Sequence, residues 1–232
     1  MIIEKKDQYL IGTLHPAVLA EEIRNKLLTL ANGDEDTEEE LLDMISKAGE
    51  IARPKVLFAL APVEKVSEAQ VLVMAKPLDT PLAARKLGEN RRCFPYIATC
   101  GLELDRWADQ FKGDPLSEFW ADEIKKAFLR SLLGEFFAHI KAHYHTGGHL
   151  AALNPGSLKE WPISGQQQLF DVLGGRDFVA QSIGVTYNDS FLMEPTKSVS
   201  GISFESGSFY ENCQYCPMEN CPNRRAKRIT EE

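Results

Sequence analysis

The chain has 232 residues, 44% hydrophobic and 26% charged, the balance of an ordinary globular protein with room for one sizeable domain or two small ones. Its net charge of -8, from 26 Lys and Arg against 34 Asp and Glu, argues against nucleic acid or an anionic membrane as the main partner, and no apolar run nears the roughly 20 residues of a membrane span. The opening MIIEKKDQYLIG lacks the apolar centre of a signal peptide, and five cysteines, three of them within nine residues, make a poor disulfide framework, so a cytoplasmic protein with reduced thiols is expected.

Residues 16–30, PAVLAEEIRNKLLTL, read as a helix with Pro16 in its first turn and Leu19, Ile23 and Leu27 on one face. DEDTEEELLDMISKAGEIA predicts a second helix. Its acidic start suits the positive end of the helix dipole, and Thr37 and Glu40 have capping-box spacing. KVLFALAP and AQVLVMA, rich in Val, Leu and Phe, have the pattern of buried strands. In DTPLAARKLGEN, Thr80 is placed to cap a short helix, Pro81 to open it and Gly88 to end it. CFPYIATCG is a further strand, giving way to helix at Cys100. Along DPLSEFWADEIKKAFLRSLLGEFFAHIKAHYH, Leu116, Trp120, Ile124, Phe128, Phe136 and Phe137 recur at helical spacing and mark a core-facing stripe.

Beyond TGGH the chain changes character. HLAALNPG is a strand entering a turn, and SGQQQLFDVLGG a helix capped by Ser164 and stopped by Gly174 and Gly175. SIGVTYNDSFLMEPTKSVSGISF reads as two or three strands broken at Asn-Asp and Glu-Pro-Thr. Strands and helices interleave without strict alternation, which predicts an α+β fold.

Cys213-x2-Cys216-x4-Cys221 puts three thiolates within reach of one centre, in a segment whose Pro217, Glu219 and Asn220 suit tight turns. Zinc and four-iron four-sulfur clusters both take about four such ligands. Cys100, at a strand end beside Gly101, is the expected fourth, with Cys93 second. The all-sulfur set and its Cys-Pro pairs favour an iron–sulfur cluster over zinc. His139 and His143, four apart on the long helix, share a face, with His145 and His149 close behind. A helix C-terminus also attracts histidine through its dipole, so metal and structural readings both stand. The turn Asn154-Pro155-Gly156-Ser157 either lets backbone amides approach a ligand or simply reverses the chain. Ser198-Val199-Ser200-Gly201 alternates small polar residues that face a ligand or solvent. NRRAKR, including Arg224, Arg225, Lys227 and Arg228, reads as a solvated end; a nucleic-acid-binding zinc knuckle there conflicts with the acidic whole.

Together, NPGSLKEWPISGQQQLFDVLGG and IGVTYNDSFLMEPTKSVSGISF resemble the activation domain of cobalamin-dependent methionine synthase. Asn188 to Met193, Pro195 and Ser198 to Gly201 match the strand pair that closes the family's site, and the strong match runs from about Leu150 to Phe204. The three-cysteine tail is similar to that of stand-alone relatives. The resemblance implies a mixed or antiparallel twisted sheet flanked by helices over residues 1–208, and a cysteine-rich metal-binding tail over 209–232. It also implies a role in returning oxidised cobalt(II) corrinoid to its methylated form, with an electron and a methyl group from S-adenosylmethionine.

The family's Arg-x-x-Pro-Gly-Tyr ligand turn is altered: Ala152 stands at the arginine position and Ser157 at the tyrosine position. Losing the arginine removes a fixed fork for a carboxylate, so weak S-adenosylmethionine binding is expected. Phe209 and Tyr210 fall where the family has tyrosines near its ligand. Asn154 to Ser157, Ser198, Ser200, Gly201, Phe209 and Tyr210 are thus the expected ligand- or corrinoid-facing residues, and Cys100, Cys213, Cys216 and Cys221 the metal ligands. These 232 residues are consumed by the activation-like fold and its tail, so cobalamin is expected on a partner corrinoid protein or methyltransferase. The competing reading is a non-enzymatic module that docks such a protein and carries a structural zinc.

Overall fold

A computed structural model describes every residue except 16–18, 20, 145–146, 217, 219, 221–223, 225 and 230–232. The strands β1 (Ile2–Lys6) and β2 (Tyr9–Thr13) form a hairpin that joins β3 (Lys55–Phe58) through β2. Between them run the helices α1 (Glu21–Leu28) and α2 (Glu35–Ile51). The strands β4 (Ala61–Lys65), β5 (Gln70–Val73) and β6 (Lys76–Asp79) make an antiparallel meander ahead of α3 (Pro81–Leu87). The central strand β7 (Arg92–Thr99) leads into α4 (Leu102–Ala108) and the 29-residue α5 (Pro115–His143). Then come β8 (His149–Leu153), α6 (Gly165–Val172), α7 (Arg176–Ile183), the small pair β9 (Thr186–Tyr187) and β10 (Met193–Glu194), and β11 (Ser198–Ser206).

Every strand pairing among the described residues is antiparallel. β7 pairs with β11 along one edge and with β3, then β4, along the other. β11 in turn pairs with β8. Strand alternation sorts the core into two layers. Val56, Phe58, Phe94, Tyr96 and Ala98 face α5 and pack on Leu132, Phe136 and Ile140. Leu57 and Ile97 face the opposite way, onto Phe170 of α6 and Val179 and Ile183 of α7. A third cluster joins α2, α4 and α5 through Leu41, Leu104, Trp120 and Ile124. Full burial of each such side chain contributes about 1.5–3 kcal/mol.

Local signals explain most helix ends. α3 opens on Pro81 after Thr80 and closes at Gly88, as expected, but the Thr80 hydroxyl donates to the Glu160 carbonyl (2.7 Å) instead of capping the helix. The expected cap of α2 is corrected: Asp34, not Thr37, is the N-cap, and its carboxylate accepts from the Thr37 amide at 3.0 Å. Thr37 is itself the third helical residue, so its own amide needs the cap. On α5 the stripe holds from Trp120 to Phe136, but Leu116, in the first turn, is exposed. The expected opening of the first helix at Pro16 lies outside the described residues. No described helix is long and apolar enough to cross a membrane.

Candidate functional site

β8 ends in a tight turn. Pro155 supplies the fixed φ of its second position and Gly156, with φ +80°, the left-handed conformation of its third. The Ser157 amide closes it on the Asn154 carbonyl at 3.2 Å. The Gly156 amide donates to the carbonyl of Trp161 at 2.8 Å, which stacks this turn on the next. Trp161 is buried, and the absent side chain of Gly165 leaves room for its indole: a Cβ there would lie 2.2 Å from Nε1.

Asn154 is the hub. Its Nδ2 donates to the Ser200 carbonyl (2.7 Å) and the Tyr96 hydroxyl (3.2 Å), crossing over Gly201. A Cβ on Gly201 would lie 2.5 Å from Nδ2, so this close approach requires glycine. From the tail, Asn212 Nδ2 donates to Asn154 Oδ1 (3.0 Å), and the Tyr210 hydroxyl donates to Asn212 Oδ1 (3.0 Å). Tyr210 is buried against Phe204, and burial raises its phenol's pKa. Tyr210 and Asn212 therefore pack on the main body and are bonded to the turn.

Ser200 and Gly201, expected to face a ligand, are covered by protein in this structure. Ser200 is buried and donates to Gln166 Oε1 of α6 at 2.8 Å, and Asn154 covers Gly201. The Ser198 hydroxyl is buried too, with no hydrogen-bond partner among the described residues. Asn154 uses both ends of its amide within the protein, and Pro155 is buried. Gly156 and Phe209 are exposed and Ser157 is half-buried.

Cys213 and Cys216 are half-buried near a helical turn, Asn212–Gln214, capped reciprocally by Glu211 and Gln214. The Arg224 guanidinium donates to the carbonyls of Cys213 (2.5 Å), Cys216 (3.3 Å) and Met218, curling this loop about one cation. Cys221 lies outside the described residues. Cys100 is not brought to the tail. It is fully buried among α2, α4 and α5, and burial, with Asp105 nearby, pushes its thiol up to about 12. Cys93 is fully buried at the other end of β7, its thiol raised by burial. Among the described residues, no three His, Cys, Asp or Glu side chains are grouped to hold a metal ion. His139 and His143 stack at 4.1 Å, and burial lowers the pKa of His139.

Sequence reasoning missed one feature. Between α3, the turn after β8 and the tail lies an open cleft of about 810 Å³. Arg85 and Lys86 line it from α3, Lys159 and Glu160 from the turn, and Tyr215 and Arg228 from the tail. Its walls come from three distant segments, so nothing local in any of them announces it.

No family model matches the chain, and no curated protein sequence matches it. Among solved structures, the chain is similar to a crystal structure of the MetH reactivation domain bound to AdoHcy, with a TM-score of 0.59 and 14% identity. The match covers 88% of this chain and 81% of that one. The two share a fold. The α+β architecture expected from the resemblance, an antiparallel sheet flanked by helices, is therefore present, and it extends well beyond the Leu150–Phe204 stretch that carried the sequence signal.

Proposed function

We propose that this chain is an activation-type component that acts on the corrinoid of a corrinoid protein or cobalamin-dependent methyltransferase, assisting the return of cobalt(II) to the methylated cofactor. One observation carries this: a reactivation-domain fold over 88% of the chain, with a Pro-Gly turn at the end of β8 held in place by Asn154. The chemistry is one electron and one methyl group delivered to cobalt. The chain's part is positional. The exposed Gly156 backbone presents an edge without a side chain, and the Asn154–Asn212–Tyr210 links fix that edge to both sheet and tail.

The proposed metal centre rests on Cys213, Cys216 and Cys221 alone, as an iron–sulfur cluster or zinc. Support comes from their spacing and from the Arg224 carbonyl contacts, which hold two of them on one short loop. An iron–sulfur centre would supply a one-electron relay; zinc would only fasten the loop. Metal and sulfide analysis of anaerobically purified protein, with its visible spectrum, tells them apart.

The deciding experiment mixes the reduced protein with a cobalt(II) corrinoid protein and S-adenosylmethionine and follows the cobalt spectrum. Conversion to methylcobalt, absent without this chain, is expected. No conversion, together with redox-silent zinc in the tail, rejects the activation role and leaves the docking-module reading.

S-adenosylmethionine itself is expected to bind this chain weakly. Ala152, half-buried on β8 opposite Ser203, offers no fork for the ligand's carboxylate, and Ser157 no ring. A charged hydrogen bond contributes about 1.5–3 kcal/mol, so its loss costs roughly ten- to a hundredfold in affinity. Calorimetry giving a low-micromolar dissociation constant contradicts this. Ala152→Arg with Ser157→Tyr is expected to strengthen binding.

A further inference from the structure

We infer that Cys213 and Cys216 form a reversible dithiol–disulfide couple that exchanges electrons with small-molecule disulfides. The geometry is that of one helical turn. Gln214 ends the short helix Asn212–Gln214, and Tyr215, with φ -113° and ψ -3°, stays in the right-handed helical region. The Gln214 amide donates to the Glu211 carbonyl at 2.9 Å, and the Tyr215 amide to the Asn212 carbonyl at 3.1 Å. Both residues between the cysteines are therefore helical. In a turn of this tight kind, residues three apart lie one above the other, separated by the rise of one turn, about 6 Å. A disulfide spans about 4.4–6.8 Å between Cα atoms, so the pair is already within bonding range. Arg224 holds the same span a second time. Its guanidinium donates to the Cys213 carbonyl through Nη1 and to the Cys216 carbonyl through Nη2, which brings both ends of the turn onto one planar group.

The turn is also pinned from both flanks. Asn212 is bonded to Asn154, and the Gln214 carbonyl accepts from the Ile229 amide at 2.8 Å. Two thiols held this way meet without first ordering a loop, which favours ring closure over capture of a second small molecule. Both are half-buried, so a small disulfide reaches them, whereas Cys93 and Cys100 are fully buried. The exchange runs in two steps. One cysteine thiolate attacks a sulfur of glutathione disulfide and releases one glutathione, leaving a mixed disulfide. The second cysteine attacks the protein sulfur of that bond and releases the other glutathione. Two cysteine thiols are oxidised, one glutathione disulfide is reduced to two thiols, and the two cysteine protons leave on those thiols. A disulfide that closes so short a loop at a half-buried site is of the labile, regulatory kind rather than a structural staple. It bears on the metal centre proposed above without resting on it: a sulfur spent in a disulfide is lost as a ligand, so metal and disulfide exclude each other.

The experiment uses the whole protein stripped of metal by a chelator, so failure of the metal or corrinoid reading leaves its outcome untouched. It is equilibrated without air in mixtures of reduced and oxidised glutathione, quenched with acid, and weighed by mass spectrometry before and after alkylation. A species lighter by two hydrogens and carrying no glutathione is expected, reversed by excess reduced glutathione. It should exceed the glutathione adduct at least about tenfold, the mark of a preorganised ring closure. Cys221→Ser is expected to leave this couple in place. Adding Cys213→Ser or Cys216→Ser to that variant is expected to remove it and leave a single glutathione on the remaining tail cysteine. Circular dichroism confirms that each variant is folded. Glutathione adducts without ring closure, tail thiols that stay reduced at every ratio, or a disulfide that Cys221→Ser abolishes, overturn the inference.

Discussion

Gly201→Ala is expected to lower the stability of the chain by about 2–4 kcal/mol, a scale set by overpacking together with displaced buried hydrogen bonds. For a domain of this size that corresponds to a fall of roughly 5–15 °C in Tm. The added methyl would sit 2.5 Å from Asn154 Nδ2, 2.6 Å from the Leu153 carbonyl and 3.0 Å from the Tyr96 hydroxyl. All three are polar atoms, and the Leu153 carbonyl belongs to β8, bonded to β11 through its register with Ile202. The easiest escape is for Asn154 to swing away, which strips its bonds to Ser200 and Tyr96 and frees Asn212 of the tail. The tail should then become sensitive to protease at temperatures where the rest of the fold persists. Gly134→Ala supplies the opposite sign. It lies within α5 with nothing within 4 Å of the new Cβ, so a gain of about 0.5–1 kcal/mol is expected. Thermal melts of the two variants check both. A Gly201→Ala protein that melts with the parent contradicts the hub assigned to Asn154.

The four described cysteines should separate into two classes by reactivity. Cys213 and Cys216, half-buried in the tail, are expected to react with an alkylating reagent in the native protein, while Cys93 and Cys100 wait for unfolding. Cys100 has no exposed surface, and its thiol is pushed up to about 12 from a reference of 9.0. At pH 8 its thiolate fraction is therefore about a thousandfold below that of an ordinary thiol, and the thiolate is the reactive form. Alkylation read peptide by peptide in a mass spectrometer measures the ratio. Native-state modification of Cys100 at the rate of Cys213 would refute it. Metal loading should protect Cys213 and Cys216 and leave Cys100 as it was. The same shift has a pH consequence. The folded thiol holds its proton above the pH at which the unfolded one ionises, so this contribution to stability is intact below about pH 9 and is lost as the pH rises toward about 12. Cys93 and Tyr210, also raised by burial, act in the same direction.

Features decided within a few residues could be read from the sequence. Thr80-Pro81 and Gly88 bracket α3, Gly174-Gly175 stop α6, and the Trp120-to-Phe136 stripe marks α5 as a core helix, because capping and amphipathic spacing act within about a turn. The Pro-Gly turn was equally legible, since proline and glycine between them impose its dihedrals. The hairpin of β1 and β2 was not read: β1 is mostly exposed, so it lacks the alternation that marks a half-buried strand. Nor was α7, whose Val179 and Ile183 take their meaning from Leu57 and Ile97 in the sheet.

The site depended still more on tertiary structure. Ser200 in a small polar strand reads the same whether it meets a ligand or a glutamine; the packing of α6 over β11 set Gln166 against it. Cys100 beside a glycine looks like an accessible ligand, and only the packing of α2, α4 and α5 around it shows a core thiol. The charged cleft exists because Arg85, Lys159 and Arg228, scattered along the chain, end on one wall-to-wall gap. Composition determines how much charge and apolar surface a chain carries, and short-range geometry determines its turns and caps. Which side chains converge is set by long-range strand pairing and helix packing, and their partners leave no mark in the neighbouring sequence.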